Sequence, residues 1–250
     1  MFKDHFSDHA KDYAEFRPQY PQKLYAYLAG LVKEHALVWD CGTGNGQAAV
    51  ALTQHFDEVV ASDASADQIS HAMQHEKVDY RVMPAEKSNL KNGSVDLITV
   101  ATALHWFQHE QFFKEVKRVL KPGGVVAAWF YLMHFLEEDD HPEITKLVIK
   151  LYYEITGPYW PKERKLVDDK YETIQFPFNL IEAPVFHMEV DWNLTELCGY
   201  LNTWSASRKY FAKHGKQPTD EIIQELKQGW PKDKERVHFT WPLYLKVGSW

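Results

Sequence analysis

Residues 37–47 read Leu-Val-Trp-Asp-Cys-Gly-Thr-Gly-Asn-Gly-Gln, an apolar run that passes into three alternating glycines. The apolar run predicts a buried strand, and the pattern from about Gln47 to His55 predicts a helix. Glycines permit the left-handed turns and the close backbone approach that a nucleotide-type cofactor requires. The segment therefore predicts a strand, a cofactor-binding turn and a helix, although an ordinary tight turn would have the same glycines.

Short apolar runs alternate with helical patterns through the first half of the chain. The predicted strands lie at residues 37–39, 59–62, 78–82, 95–100 and 125–130. Strands that alternate with helices imply right-handed crossovers, and hence an α/β fold with a parallel sheet covered on both faces. Residues 184–192 and 237–247 alternate like late strands, the last of them antiparallel. We expect lid helices at 1–35, a Rossmann-like core at 36–135, a helical, aromatic-rich cap at 136–233 and a final core strand at 234–250.

The composition excludes several functional classes. The chain has 250 residues, a net charge of −7 and ordinary fractions of hydrophobic (45%) and charged (25%) residues, which is typical of a globular protein rather than a nucleic-acid binder. Two cysteines cannot build a disulfide framework, and the polar start, residues 1–11, does not resemble a signal peptide. The longest apolar run, residues 125–133, is too short to span a bilayer. We expect a cytoplasmic monomer or homodimer with no membrane or nucleic-acid partner.

Two acidic residues narrow the choice of cofactor. Asp63 ends the second predicted strand, 21 positions after Gly42, where a carboxylate can accept both hydrogen bonds of a ribose diol. Asp40 precedes the glycines and would repel a pyrophosphate at the helix N-terminus. A cationic, phosphate-free nucleoside such as S-adenosylmethionine suits both carboxylates. An NAD(P)-dependent oxidoreductase and a non-catalytic cofactor-binding protein are the alternatives, and Asp40 as a simple turn or cap residue also stays open.

The motifs resemble those of a known family. Residues 40–46 resemble motif I of the class I S-adenosylmethionine-dependent methyltransferases, with Cys41 and Thr43 as departures that leave every glycine in place. Further similarities to the same family lie at residues 61–65, 85–86, 94–107 and 121–124. The Tyr13…Arg17-Pro…Tyr20-Pro opening, the His105-Trp-Phe triplet and residues 203–206 are similar to the trans-aconitate methyltransferase-like branch.

This resemblance implies a fold, a cofactor and a set of binding residues. The fold is a doubly wound, mostly parallel seven-stranded sheet with a terminal antiparallel strand, and the cofactor is S-adenosylmethionine. The implied cofactor-binding residues are Tyr13, Arg17, Asp40, Gly42, Thr43, Gly44, Asp63, Ala64, Ala85, Glu86, Ala101 and Thr102. The implied reaction is methyl transfer to a small molecule, with O-methylation of a carboxylate as the first choice.

The chemistry depends on how His105 is interpreted. As a general base it would suit a hydroxyl acceptor, and as a hydrogen-bonding wall residue it would suit a carboxylate, which needs no base; a buried structural histidine is the third possibility. The candidate substrate residues are Tyr20, Trp106, Trp160, Trp204 and Arg208, with core packing or a solvated helix face as their alternative roles. His71 and His75 lack a nearby third ligand, so no metal site is predicted.

Overall fold

The computed structural model describes residues 16–132 and 141–250, and an eight-stranded sheet forms its centre. The strands are β1 (Leu37–Cys41), β2 (Glu58–Asp63), β3 (Val78–Val82), β4 (Val95–Ala101), β5 (Leu120–Phe130), β6 (Asn179–Ile181), β7 (Phe186–Trp192) and β8 (Val237–Ser249). The helices are α1 (Gln22–Gly30), α2 (Gln47–Leu52), α3 (Ala66–Ser70), α4 (His109–Val119), α5 (Pro142–Lys150), α6 (Arg164–Asp168), α7 (Leu194–Asn202), α8 (Ser205–His214) and α9 (Ile223–Gly229).

The strand order confirms the predicted doubly wound sheet. It is β3-β2-β1-β4-β5-β8-β6, in which β1 to β5 pair in parallel and β8 is antiparallel to β5. The sheet has one strand more than the seven expected, because β8 is long enough to pair twice. Its first half, residues 237–243, pairs with β7, and its second half, residues 244–249, pairs with β5 and β6. The strand order reverses between β1 and β4, which is where ligands bind in open α/β sheets.

Alternating side chains of the strands build a core on each face of the sheet. On one face Val38 and Leu97 pack with Leu24 and Leu28 of α1. On the other face Trp39, Ile98 and Val126 pack with apolar residues of α4. The central strands β1 and β4 are therefore buried along nearly their whole length rather than at alternate residues, as a sheet covered by helices requires.

The second half of the chain contains two local irregularities. Helix α5 ends at Lys150 and continues as a single π-helical turn, Leu151–Ile155. The short helix α6 follows within the segment 157–178. Two successive residues after α6, Lys170 and Tyr171, have left-handed φ angles of 51° and 54°, and Tyr171 is fully buried. Local sequence patterns carry no signal for either feature.

No helix in residues 16–132 and 141–250 is both long and apolar enough to cross a membrane. The division into lid, core, cap and final strand stays a prediction. Tyr13, which was predicted to contact the cofactor, lies outside the described residues.

Candidate functional site

A cleft of about 230 Å³ opens at the carboxyl ends of β1, β2 and β4. It brings together most of the residues singled out in the sequence. The predicted residues that line it are Arg17, Tyr20, Gly42, Thr43, Gly44, Asp63, Ala64, Ala85, Glu86, Ala101, Thr102, His105, Trp106 and Trp160. These residues are spread over the segment 17–160, and the fold brings them together at one edge of the sheet.

The glycine turn between β1 and α2 forms the floor of the cleft. The amide groups of Gly42 and Thr43 donate to the carbonyl oxygen of Ser62, at 2.8 and 2.9 Å, which fixes the turn against the end of β2. Gly42 has a φ of 71°, and a Cβ at this position would lie 2.7 Å from the Cβ of Ala103. Both the backbone conformation and the available space therefore require glycine here.

The carboxylate of Asp63 joins the glycine turn to the start of α3. Its Oδ2 accepts a hydrogen bond from the amide of Gly44 at 3.1 Å, and its Oδ1 accepts one from the amide of Ser65 at 2.9 Å. These two backbone hydrogen bonds hold the carboxylate in the wall of the cleft. Glu86 also lines the cleft, and its Oε1 accepts a hydrogen bond from the amide of Gln108 at 2.8 Å.

Asp40 lies one layer beneath the cleft and is not part of its wall. The side chain is fully buried, and it accepts hydrogen bonds from the hydroxyls of Thr43 and Thr99 at 2.6 and 2.7 Å. Burial raises the pKa of Asp40 to about 6, although the two hydroxyl hydrogen bonds act in the opposite direction. Asp40 was expected to line the methionine part of a cofactor. Its carboxylate is instead joined to the cleft through Thr43, which does line it.

Thr102 follows β4 in a strained backbone conformation. Its φ of 52° is left-handed, which is uncommon for a β-branched residue. The amide of Thr102 donates to the carbonyl oxygen of Trp129 at 2.7 Å, and its hydroxyl lies 3.0 Å from the hydroxyl of Tyr20. Strain of this kind clusters at functional sites, where surrounding contacts hold it in place.

His105 is a buried, neutral histidine at the cleft wall. Its Nδ1 lies 2.8 Å from the hydroxyl of Tyr171, and its ring centroid is 4.8 Å from that of Trp106. Burial, followed by the positive charge of Arg164 and then His109, lowers the pKa of His105 to about 3. The imidazole is therefore uncharged at neutral pH and a weak proton acceptor.

Two arginines border the cleft, and only one of them was predicted. Arg17 donates from Nε to the hydroxyl of Thr203 at 3.1 Å and from Nη1 to the hydroxyl of Tyr131 at 2.7 Å. Arg164, at the start of α6, was missed because it lies in a segment with no recognisable pattern. Its side chain is buried, although charged side chains are rarely found inside proteins without a partner.

Other lining residues were also missed. They are Asn45, Gln47, Ala48, Ser65, Gln68, Met83, Ala103, Phe107, Pro161 and Ser205. Several of them follow directly from the predicted motifs, since they adjoin the glycine turn, Asp63 or His105. Pro161 and Ser205 have no such signal, because tertiary packing alone brings them to the cleft.

Two of the predicted substrate residues do not line the cleft. Trp204 has no exposed surface and packs in the core, with its ring 5.7 Å from that of Tyr152 and 5.8 Å from that of Trp160. Trp204 thus supports the wall residue Trp160 from behind, and the structure corrects the expectation that it faces a substrate. Arg208, on α8, likewise lies outside the lining of the cleft. Within the described residues no group of three or more histidine, cysteine, aspartate or glutamate side chains could hold a metal ion.

Comparisons with known proteins place the chain among methyltransferases. A model of a methyltransferase domain matches residues 39–128. A protein of Dictyostelium discoideum that is named as a methyltransferase is 34% identical over 250 residues, which cover 98% of this chain and 94% of that protein. A Saccharomyces cerevisiae protein, named as an S-adenosylmethionine-dependent methyltransferase, is 31% identical, and the match covers 86% of this chain and 86% of that protein.

The solved structures give the same result. A chain from Anaeromyxobacter dehalogenans, named as a type II methyltransferase, is 37% identical and superposes with a TM-score of 0.84. The superposition covers 94% of this chain and 98% of that one, so the similarity includes the late strands and helices as well as the first half.

Proposed function

Because this chain belongs to the S-adenosylmethionine-dependent methyltransferases, we propose that it methylates a carboxylate of a small molecule. The family gives the enzyme class and the cofactor, and it leaves the predicted oxidoreductase alternative without support. One observation carries the choice of acceptor. The histidine that would have to act as a base, His105, is buried with its Nδ1 2.8 Å from the hydroxyl of Tyr171, and this burial lowers its pKa to about 3.

The geometry of the cleft fits the cofactor. The absence of a side chain at Gly42 lets the turn pack closely against Ala103, and Gly42, Thr43 and Gly44 line the part of the cleft where the methionine part of the cofactor would lie. Asp63 lies in the cleft wall at the end of β2, where its carboxylate would accept hydrogen bonds from the ribose hydroxyls, and Ala64, Ala85 and Glu86 would contact the adenine. When bound, S-adenosylmethionine supplies a methyl group that is already activated on a sulfonium.

The buried carboxylate of Asp40 suits this cationic cofactor better than a phosphate. It lies beneath the turn and is coupled to the cleft through the hydroxyl of Thr43, at 2.6 Å. A negative charge in a dry environment attracts a nearby cation more strongly than it would in water. We assign Asp40 to electrostatic support of the sulfonium and ammonium groups.

The acceptor must then be nucleophilic without help from the protein. A hydroxyl or an ammonium group has to lose a proton as it is methylated, and a base with a pKa near 3 removes that proton poorly. A carboxylate is ionised at neutral pH, so its oxygen attacks the methyl carbon in line while the carbon–sulfur bond breaks. The protein has only to hold the two reactants in line and exclude water. Orienting the reactants in this way can lower the activation free energy by about 7–11 kcal/mol.

The remaining wall residues would form the substrate side of the cleft. Tyr20, Trp106 and Trp160 provide aromatic surface, and Arg17 adds a positive charge. The similarity of the opening segment and of the triplet at His105 to the trans-aconitate methyltransferase-like branch favours a small organic acid. In this role His105 is a hydrogen-bonding wall residue rather than a base.

The stability of the product towards alkali tests the acceptor directly. The protein is incubated with methyl-labelled S-adenosylmethionine and a panel of organic acids, each paired with the corresponding alcohol and primary amine. A methyl ester releases volatile labelled methanol in mild alkali, whereas a methyl ether or methylamine does not. We expect label only with the acids, in alkali-labile form. Alkali-stable label on an alcohol or amine acceptor would contradict the proposal.

A further inference from the structure

The guanidinium group of Arg164 lies in the wall of the cleft near His105. Arg164 is the first residue of α6, its side chain is 6% exposed, and it lines the cleft together with Trp160 and Pro161. Helix α6 packs against the turn Leu104–Trp106 that carries His105, and the positive charge of Arg164 contributes to the lowered pKa of that histidine. A buried cation thus faces the part of the site assigned to the acceptor.

Most of the hydrogen-bonding capacity of this guanidinium is unused. Nε donates to the hydroxyl of Tyr152 at 2.9 Å, and that hydroxyl donates to Oδ1 of Asp168 at 2.7 Å. Oδ1 of Asp168 lies 3.5 Å from Nε of Arg164, so this carboxylate offsets the positive charge on the Nε side of the guanidinium. Nη2 is buried and makes no hydrogen bond within the described residues. Buried polar groups nearly always have partners, so this donor points to a missing ligand.

The surrounding structure holds the guanidinium in a fixed orientation. Tyr152 belongs to the π-helical turn that follows α5, and turns of this kind occur frequently at functional sites. The hydroxyl of Thr156 closes this turn by donating to the carbonyl oxygen of Leu151 at 2.8 Å. The ring of Trp160 lies 5.4 Å from the guanidinium carbon, within the range of a cation–π contact. The side chain is thereby oriented before any ligand binds.

Arg17, the other arginine of the cleft, has a different environment. Two of its nitrogens donate to the hydroxyls of Thr203 and Tyr131, and its guanidinium lies 5.3 Å from the ring centroid of Tyr200. These contacts attach the segment before α1 to the rest of the protein. Arg164 is therefore the better candidate for recognising an anionic substrate.

We propose that Arg164 binds the carboxylate of the methyl acceptor and so restricts the substrates to acids with an apolar body that packs against Trp106 and Trp160. This inference rests on the proposed function and names the residue that gives it specificity. A guanidinium matches a carboxylate in geometry and charge through parallel N–H donors. Tyr152 and Asp168 are positioning residues that hold the fork in place.

Binding measurements on the full chain, saturated with S-adenosylhomocysteine, test this assignment. Isothermal titration compares a panel of monocarboxylates, 3-phenylpropionate among them, with their primary amides. We expect the wild type to prefer acids, and Arg164→Gln to weaken acid binding roughly 10- to 150-fold while amide binding changes little. Lys165→Gln is the matched control, since it removes a neighbouring positive charge whose side chain is 78% exposed. An unchanged affinity for S-adenosylhomocysteine shows that each variant is folded.

The outcomes separate this inference from the proposed function. If the preference for acids survives in Arg164→Gln, or if no acid binds the wild type better than its amide, the assignment of Arg164 is wrong. Methyl esters formed by the wild type would then still support carboxylate methylation. If acid binding depends on Arg164 but the labelled product is stable in alkali, Arg164 is an anion-binding residue and the proposed acceptor is wrong.

Discussion

Replacing Asp40 by asparagine should stabilise the protein at neutral pH while weakening its binding of S-adenosylmethionine. The carboxylate is fully buried and is held by the hydroxyls of Thr43 and Thr99. Asparagine has the same shape, and its amide oxygen and nitrogen can bond to the same two hydroxyls. The substitution thus removes the buried charge and leaves the packing of β1 in place.

The expected gain in the free energy of unfolding follows from the pKa of Asp40, which burial raises from 3.8 to about 6. A raised pKa means that the folded protein holds this proton more tightly than the unfolded chain does. The ionised carboxylate therefore costs stability above pH 6, and the cost disappears as the pH falls through 3.8. A pKa raised to this extent costs roughly 3 kcal/mol above pH 7 and about half of that at pH 5.

Urea unfolding at several pH values measures this cost. The difference in the free energy of unfolding between Asp40→Asn and the wild type should grow from pH 4 to pH 7.5 by roughly 2 kcal/mol. Asp57→Asn, which removes an exposed carboxylate, controls for the loss of one negative charge. A difference that does not change with pH would refute the reasoning that burial makes this charge costly. Titration with S-adenosylmethionine then shows whether affinity falls, as the assigned electrostatic role requires.

Three further substitutions test other parts of the site. Asp63→Ala should weaken S-adenosylhomocysteine binding by about 1–3 kcal/mol, measured by calorimetry, because it removes the proposed ribose acceptor; an unchanged affinity would exclude Asp63 from the site. Gly42→Ala should lower the free energy of unfolding by at least about 1–2 kcal/mol, since φ is 71° and the new Cβ would lie 2.7 Å from that of Ala103; urea unfolding with wild-type stability would contradict this. His105→Ala should change kcat for acid substrates less than roughly tenfold, whereas a fall of about 10²–10⁴ would identify a general base.

The first half of the fold was predictable because its signals are local. The strands β4 and β5 contain nearly continuous apolar runs, and the glycines at 42, 44 and 46 come directly after the apolar start of β1. The spacing of Asp63 from the turn is set by the length of one βα unit. These features need no information from distant parts of the chain.

The missed features depend on tertiary contacts. The importance of Arg164 comes from the hydroxyl of Tyr152, twelve positions earlier, and from a π-helical turn that no residue pattern announces. The sequence also does not distinguish a tryptophan that lines a pocket from one that supports it, as Trp160 and Trp204 show. The lowered pKa of His105 arises from burial and from the charge of Arg164. The sequence alone therefore could not decide between a general base and the proposed wall residue.

A crystal structure with S-adenosylhomocysteine tests most directly whether the cofactor occupies this cleft as described. The account predicts that the ribose hydroxyls lie within hydrogen-bond distance of the carboxylate of Asp63, with the homocysteine chain over the glycine turn and its sulfur directed towards the wall that contains His105 and Arg164. Binding of the ribose away from Asp63, or a sulfur directed away from that wall, would contradict it.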